Sequence, residues 1–197
     1  MWDDKYAADE YIFGIEPNDF LKANTDKLKP GTVLCLADGE GRNGVYLAKL
    51  GFDVTSIDLS EIGLGKARRL ATENNVEIKT ICADLNDFAE EPNRWDNIVS
   101  IFCHLPPGLR KKVHTSAAEA LTENGIFLLE AYTPKQLEMP GKGGPPVAQL
   151  MFTAEMLNDD FQSLEIVQAL EMEREVNEGS KHVGLASVVQ FVAKHHE

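Results

Sequence analysis

Three glycines, Gly39, Gly41 and Gly44, stand in a G-x-G-x-x-G spacing inside LCLADGEGRNGVYLA (34–48). Glycines at that spacing let backbone approach a nucleotide-like ligand closely, and the helix that follows presents free N–H groups. A carboxylate about 20 residues further on accepts hydrogen bonds from ribose hydroxyls, and Asp58 stands near that distance. A third position, Asp84 in CADLNDF (82–88), can accept from an adenine amino group while the Leu85 N–H meets a ring nitrogen. Both a dinucleotide and S-adenosylmethionine carry the adenosine that such a set would hold.

The surrounding pattern supplies the elements that must position these groups. TVLCLA (32–37) lies between Pro30-Gly31 and Asp38-Gly39 and reads as a buried strand. Helix character follows over 43–50 and stops at Gly51. DVTSIDL (53–59) is a second strand, and Ser60 an N-cap for a helix to about Asn75. EIKTICA (77–83) and WDNIVSIF (95–102) are the third and fourth strands. Pro106-Pro107 opens a helix to Leu121, and Asn124-Gly125 turns into a fifth strand, IFLLEAY (126–132). Strands joined by helices imply a parallel sheet with right-handed crossovers. The spacing predicts a Pro/Gly-rich, substrate-side flexible loop over 133–150, then a short helix from Thr153. Two strands, 163–173 and 184–194, then form a hairpin around NEGSK. Residues 1–28 read as an aromatic lid segment leading into a helix capped near Asn18, and the whole of 1–197 as one domain.

Two features separate the cofactors. A chain of 197 residues leaves little room for a separate substrate domain. A compact short-chain dehydrogenase needs Tyr-x-x-x-Lys, and no tyrosine here has a lysine four residues later.

With VLCLADGEGRNGVYLA, TSIDLS, CADLNDF, WDNIVSIF and NGIFLLE in order, the chain resembles the class I S-adenosylmethionine-dependent methyltransferases over nearly its whole length. YIFGIEPN (11–18) and GEGRN (39–43) are similar to the small tellurite-resistance and thiopurine methyltransferase-like branch. The resemblance implies a Rossmann-like α/β fold with a seven-stranded, mostly parallel sheet of order 3-2-1-4-5-7-6. Strand seven is then antiparallel, with helices on both faces. It also implies S-adenosylmethionine as cofactor and methyl transfer to a small molecule, with thiol, selenium or tellurium nucleophiles among the branch's substrates. A cofactor-binding interaction protein of the same fold is the alternative. The chain departs from the family's D-L-G-x-G-x-G pattern: Cys35 stands at the acid, Ala37 at the first glycine and Asp38 at the x.

The expected cofactor contacts are Ala37, Asp38, Gly39, Gly41, Arg42, Asn43, Asp58, Leu59, Asp84, Leu85 and Phe102. Asp38 either offers charge toward the cofactor's amino or sulfonium end or serves as a turn cap. Arg42 and Asn43 either close over the cofactor or form a cap and a surface ion pair. His104, after the fourth strand, is the candidate general base, or else a histidine that caps a helix or satisfies a loop carbonyl. Tyr11, Tyr132, Arg174 and His182 are expected on the substrate side, Arg174 and His182 meeting across the hairpin, with Glu178 solvated.

A net charge of −13 disfavours nucleic acid and anionic membrane as partners, which select for Lys/Arg patches. The acidic, polar MWDDKYAADE is unlike a secretory signal. Three cysteines (Cys35, Cys82, Cys103) without C-x-x-C read as reduced, buried thiols of a cytoplasmic protein. His195 and His196 read as an inert terminal pair, no metal site is expected, and a monomer is the default.

Overall fold

A computed structural model describes residues 2–196. Its strands are β1 Thr32–Leu36, β2 Asp53–Asp58, β3 Lys79–Cys82, β4 Trp95–Ile101, β5 Leu121–Tyr132, β6 Glu165–Glu178 and β7 His182–Lys194. They form one sheet of order β3-β2-β1-β4-β5-β7-β6. β1 to β5 pair in parallel, and β7 runs antiparallel to both β5 and β6. This is the order that the resemblance implies.

Alternation along the strands divides the core. Leu34 and Leu36 join Phe127, Leu129 and Phe191 on one face, beneath helices α5 (Pro107–Ala120) and α6 (Ala154–Asp160). Val33 and Cys35 join Val99, Leu128 and Val192 on the other, beneath α2 (Asp19–Ala23) and α3 (Arg42–Lys49). This period-two partition is what a strand buried on both faces must do. Helix starts follow the capping residues: the side chains of Asn18, Ser60 and Thr153 accept from the N–H groups of Leu21, Gly63 and Met156, opening α2, α4 (Glu61–Glu73) and α6.

Three expectations are corrected. The hairpin strands reach 178 and 182, past the apolar runs, because β6 is an edge strand whose backbone ladder continues while Glu171, Glu173 and Glu175 face outward. The 133–150 segment contains two 3₁₀ turns, Pro134–Glu138 and Ala148–Leu150, and Lys142 bridges Val183. A short helix, α1 (Trp2–Tyr6), was not signalled by any cap; Tyr6 is buried and Trp2 stacks on it at 5.6 Å between ring centroids.

Gly41 takes φ 85° at the start of α3, and a Cβ there would run into the Ala67 side chain of α4. Its glycine is therefore needed for helix packing as well as for the loop. Gly41→Ala should lower the unfolding free energy by about 2–4 kcal/mol, from left-handed backbone strain and overpacking. Urea denaturation checks this.

Candidate active site

The loop after β1 and the ends of β2, β3 and β4 open onto one cavity of about 840 Å³. At its cofactor end Asp58 Oδ2 accepts from the Gly39 N–H at 2.9 Å, and Oδ1 accepts from the Ser60 N–H at 2.8 Å. Each oxygen keeps a lone pair, and burial raises the carboxyl's pKa although backbone donors oppose this. Asp84 and Leu85 line the same wall, with Asp84 Oδ1 also accepting from the Asn86 N–H at 2.8 Å; Leu59 lines it with an exposed side chain. Ala37 and Phe102, ending neighbouring strands, take φ 49° and φ 53°. Left-handed backbone in non-glycine residues is strained, and such residues cluster at functional sites.

Asp38 lines the cavity, but its carboxylate also serves the fold. It accepts from Ser56 Oγ at 2.6 Å, and a Cβ on Gly44 would strike both groups. Gly44 thus makes room for Asp38 at the head of α3. Burial, with the Asp58 charge adding to it, pushes the Asp38 carboxyl up to about 7.

Toward the other end, aromatic rings form a continuous line. Tyr6 meets Phe13 edge-on at 6.3 Å, and Phe13 lies 4.5 Å from His182. His182 meets Phe102 at 4.6 Å, and Phe102 stacks on Tyr132 at 4.5 Å. The buried Tyr132 hydroxyl, His182 Nδ1 and Arg42 Nη1 have no hydrogen-bond partner among the described residues. Burial, followed by the Arg42 charge, holds the His182 imidazole down at about 3. His104 is different. Its Nδ1–H donates to the Leu150 carbonyl at 2.9 Å, and Nε2 accepts from the Tyr132 N–H at 3.3 Å. Burial holds this ring at about 4. Both nitrogens are committed, so His104 walls the cavity and leaves no lone pair for a substrate proton. The loop-carbonyl alternative describes it.

Other expected residues are also relocated. Tyr11 does not line the cavity; it donates to the Lys66 carbonyl at 3.1 Å and packs against the Val45, Leu70 and Ala71 cluster. Arg174 pairs across the hairpin with Ala186, and His182 with Glu178, so the two do not meet. Arg174 turns inward: Nε and Nη2 reach Glu130 at 3.0 and 2.5 Å, and Nη2 reaches Glu178 at 2.9 Å. Glu178 is buried rather than solvated, and pairs with Arg42 at 2.5 Å. Asn18 donates from Nδ2 to Glu130 and Glu178, and from its N–H to Asn43 Oδ1. Arg42 and Asn43 line the cavity from within this network, so the surface ion pair is excluded. Cys82 is exposed, while Cys35 and Cys103 are buried.

Tyr6 and Phe13 belong to the expected aromatic lid segment, whereas Glu40 and Lys66 had no expected role. Tyr6, Phe13 and Glu40 line the cavity. Glu40 pairs with Lys66 at 2.5 Å, and Lys66 also holds the Ala8 and Glu10 carbonyls, pinning the N-terminal segment. The glutamate inside the glycine loop was the available signal, since a carboxylate there needs a cation.

Residues 33–125 match the model of a methyltransferase domain. The match takes in β1 to β4, and with them the glycine loop, Asp58 and Asp84. The chain is similar to the TehB branch: it is 38% identical over 73 residues to the probable S-adenosyl-L-methionine-dependent methyltransferase TehB of Haemophilus influenzae, covering 37% of this chain and 25% of that one. It is 40% identical over 97 residues to the uncharacterized methyltransferase YbaJ of Bacillus subtilis, covering 49% of this chain and 38% of that one. The alignments thus span about a quarter and two fifths of those relatives' lengths. In fold, the Haemophilus influenzae TehB structure superposes with a TM-score of 0.71 at 23% identity, over 98% of this chain and 65% of that one. A protein solved in work on "Conversion of a Disulfide Bond into a Thioacetal Group during Echinomycin Biosynthesis" superposes at 0.79 with 18% identity, over 99% and 90%.

The pKa of Asp38 carries a stability consequence. An acid whose pKa is raised on folding binds more protons in the folded state between its two pKa values. Its stabilising contribution is full below about 4 and is lost as pH rises through about 7. Asp38's own contribution to the unfolding free energy should therefore fall between pH 5 and pH 8, against the rise that the buried, neutral His104 and His182 give at the lower end of that range. Asp38→Asn should remove much of that slope, leaving the variant relatively more stable at pH 8 than at pH 5. Denaturant titrations at the two pH values check it.

Proposed function

We propose that this chain transfers a methyl group from S-adenosylmethionine to a small-molecule nucleophile built on sulfur, selenium or tellurium. When bound, the cofactor supplies a methyl group already activated on a sulfonium. The observation that carries the reading is the single cavity joining an adenosine-type end, Asp58, Asp84 and Leu85, to an aromatic end, Phe13, Phe102 and His182. The residues present fit the cofactor. Asp58 keeps two lone pairs for ribose hydroxyls, and the unpartnered Arg42 Nη1 is a buried cation ready for a carboxylate. Asp38 and Glu40 give the same cavity the acidic character that suits a cationic ligand.

What the protein must do for such a transfer is align the nucleophile and exclude water. Polarisable aromatic walls suit a soft nucleophile, and α1 with residues 12–14 on one side and 143–146 on the other narrow the opening. These two segments are the lid and the substrate-side loop of this reading. A small ligand suits a cavity of about 840 Å³, and the net charge of −13 argues against nucleic acid. The protein acts as a cytoplasmic monomer in this account.

Asp58→Ala should weaken S-adenosylhomocysteine binding by about 1–3 kcal/mol, the worth of charge-assisted hydrogen bonds; unchanged calorimetric affinity would remove Asp58 from the site. The activity itself is tested by following S-adenosylhomocysteine release from S-adenosylmethionine with a panel of thiols, selenite, tellurite and phenols. Turnover confined to the sulfur, selenium or tellurium compounds is expected. Tight cofactor binding without turnover on any of them would favour a binding protein of this fold.

A further inference from the structure

His182 is buried to nine-tenths of its surface and lines the cavity, yet its buried Nδ1 has no hydrogen-bond partner among the described residues. A buried polar group without a partner forfeits about 1–3 kcal/mol, so its persistence calls for an occupant. The ring is held in place by apolar contact alone: Phe13 at 4.5 Å, Phe102 at 4.6 Å and Tyr132 at 5.4 Å between centroids. The Gly143 backbone closes the remaining side, since a Cβ there would touch both His182 and the Tyr132 hydroxyl. In the same cavity the buried Tyr132 hydroxyl and Arg42 Nη1 also lack a hydrogen-bond partner among the described residues.

We propose that His182 is a catalytic residue that accepts the proton of an S–H or Se–H substrate during methyl transfer. This rests on the methyltransferase reading above. The substrate's lone pair forms the new bond to the methyl carbon as the carbon–sulfonium bond breaks, and that bond's electron pair stays on the cofactor sulfur. The S–H or Se–H electron pair stays with the substrate atom, and its proton moves to an imidazole nitrogen. One positive charge thus passes from sulfonium to imidazolium, and the net charge of the closed cavity does not change. That balance matters in a low-dielectric site.

The charged and titratable groups about the ring are Arg42 from α3, Glu178 and Arg174 from β6, His104 after β4, Tyr132 from β5 and neighbouring Lys181. Burial first and then the Arg42 charge keep the free imidazole neutral, so it is an acceptor at neutral pH and returns its proton to solvent readily. A weak base suffices because the substrate proton becomes strongly acidic as its atom commits a lone pair to carbon.

The test compares wild type, His182→Asn and His182→Gln on two thiols, an alkyl thiol ionising above the assay pH and an aromatic thiol ionising below it. Expected is a fall of about 10²–10⁴-fold in kcat on the alkyl thiol, the usual worth of a positioned base, against tenfold or less on the aromatic one. Calorimetric affinity for S-adenosylhomocysteine should stay within a few-fold, which shows that the variants fold. A second readout needs no turnover. Adding the alkyl thiol to the S-adenosylhomocysteine complex should shift the imidazole ¹⁵N resonances of His182 and leave those of His104 in place. Equal losses on both thiols, no loss on either, or unmoved His182 resonances would overturn the proposal. Wild-type protein that methylates neither thiol would instead overturn the substrate reading on which it rests.

Discussion

Glu130 is a fully buried carboxylate that no water reaches, and its ion pair with Arg174 organises everything around it. It accepts from Arg174, Asn18 and Gln190, while Glu178 takes up Arg174, Asn18 and Arg42. Two carboxylates and two guanidiniums leave the cluster neutral. Such clusters add little net stability, because desolvation offsets attraction, but losing one partner strands the others and costs about 3–5 kcal/mol. Its consequence here is geometric. One cluster joins the N-terminal segment, the head of α3, β5 and the edge hairpin, and so sets where Arg42 and the hairpin tip stand relative to the strand ends. The tip is fixed again where the Ser180 N–H meets the Ile12 carbonyl at 3.0 Å.

The cavity lies where the fold leaves backbone groups unused. β1 stands between β2 and β4, so the chain leaves β1 in one direction and β4 in the other, and the crevice between them is open. Ala37 and Phe102, the left-handed residues, flank that crevice. Strain there is sustained by packing on both sheet faces, and it turns the backbone so that Asp38 and Gly39 face β2 while the Phe102 ring faces Tyr132 and His182.

Most of the frame was legible in the sequence because it rests on local signals. Apolar runs bounded by Gly and Pro, caps at Asn18, Ser60 and Thr153, and the glycine loop before Asp58 all act over a few residues. What escaped was long-range. Arg174 and Glu178 sit in a run of charges that reads as solvated, EMEREVNE, and only the sheet register reveals that both turn inward to meet Glu130 and Arg42. Tyr11 and Phe13 are alternate aromatics in one short segment, and the turn at Gly14 decides which faces α4 and which the cavity. His104 and His182 looked equivalent by type. A carbonyl 46 residues away, on Leu150, occupies one of them and leaves the other free.

The central claim is that one cofactor spans the strand ends and is closed in by segments tied through the Glu130 cluster. Amide hydrogen exchange with and without S-adenosylhomocysteine tests it most directly. The account predicts slowed exchange at 37–43, 58–60, 84–86 and 102–105, together with 2–14 and 178–183. Protection confined to other surfaces, or none at saturating ligand, would contradict it.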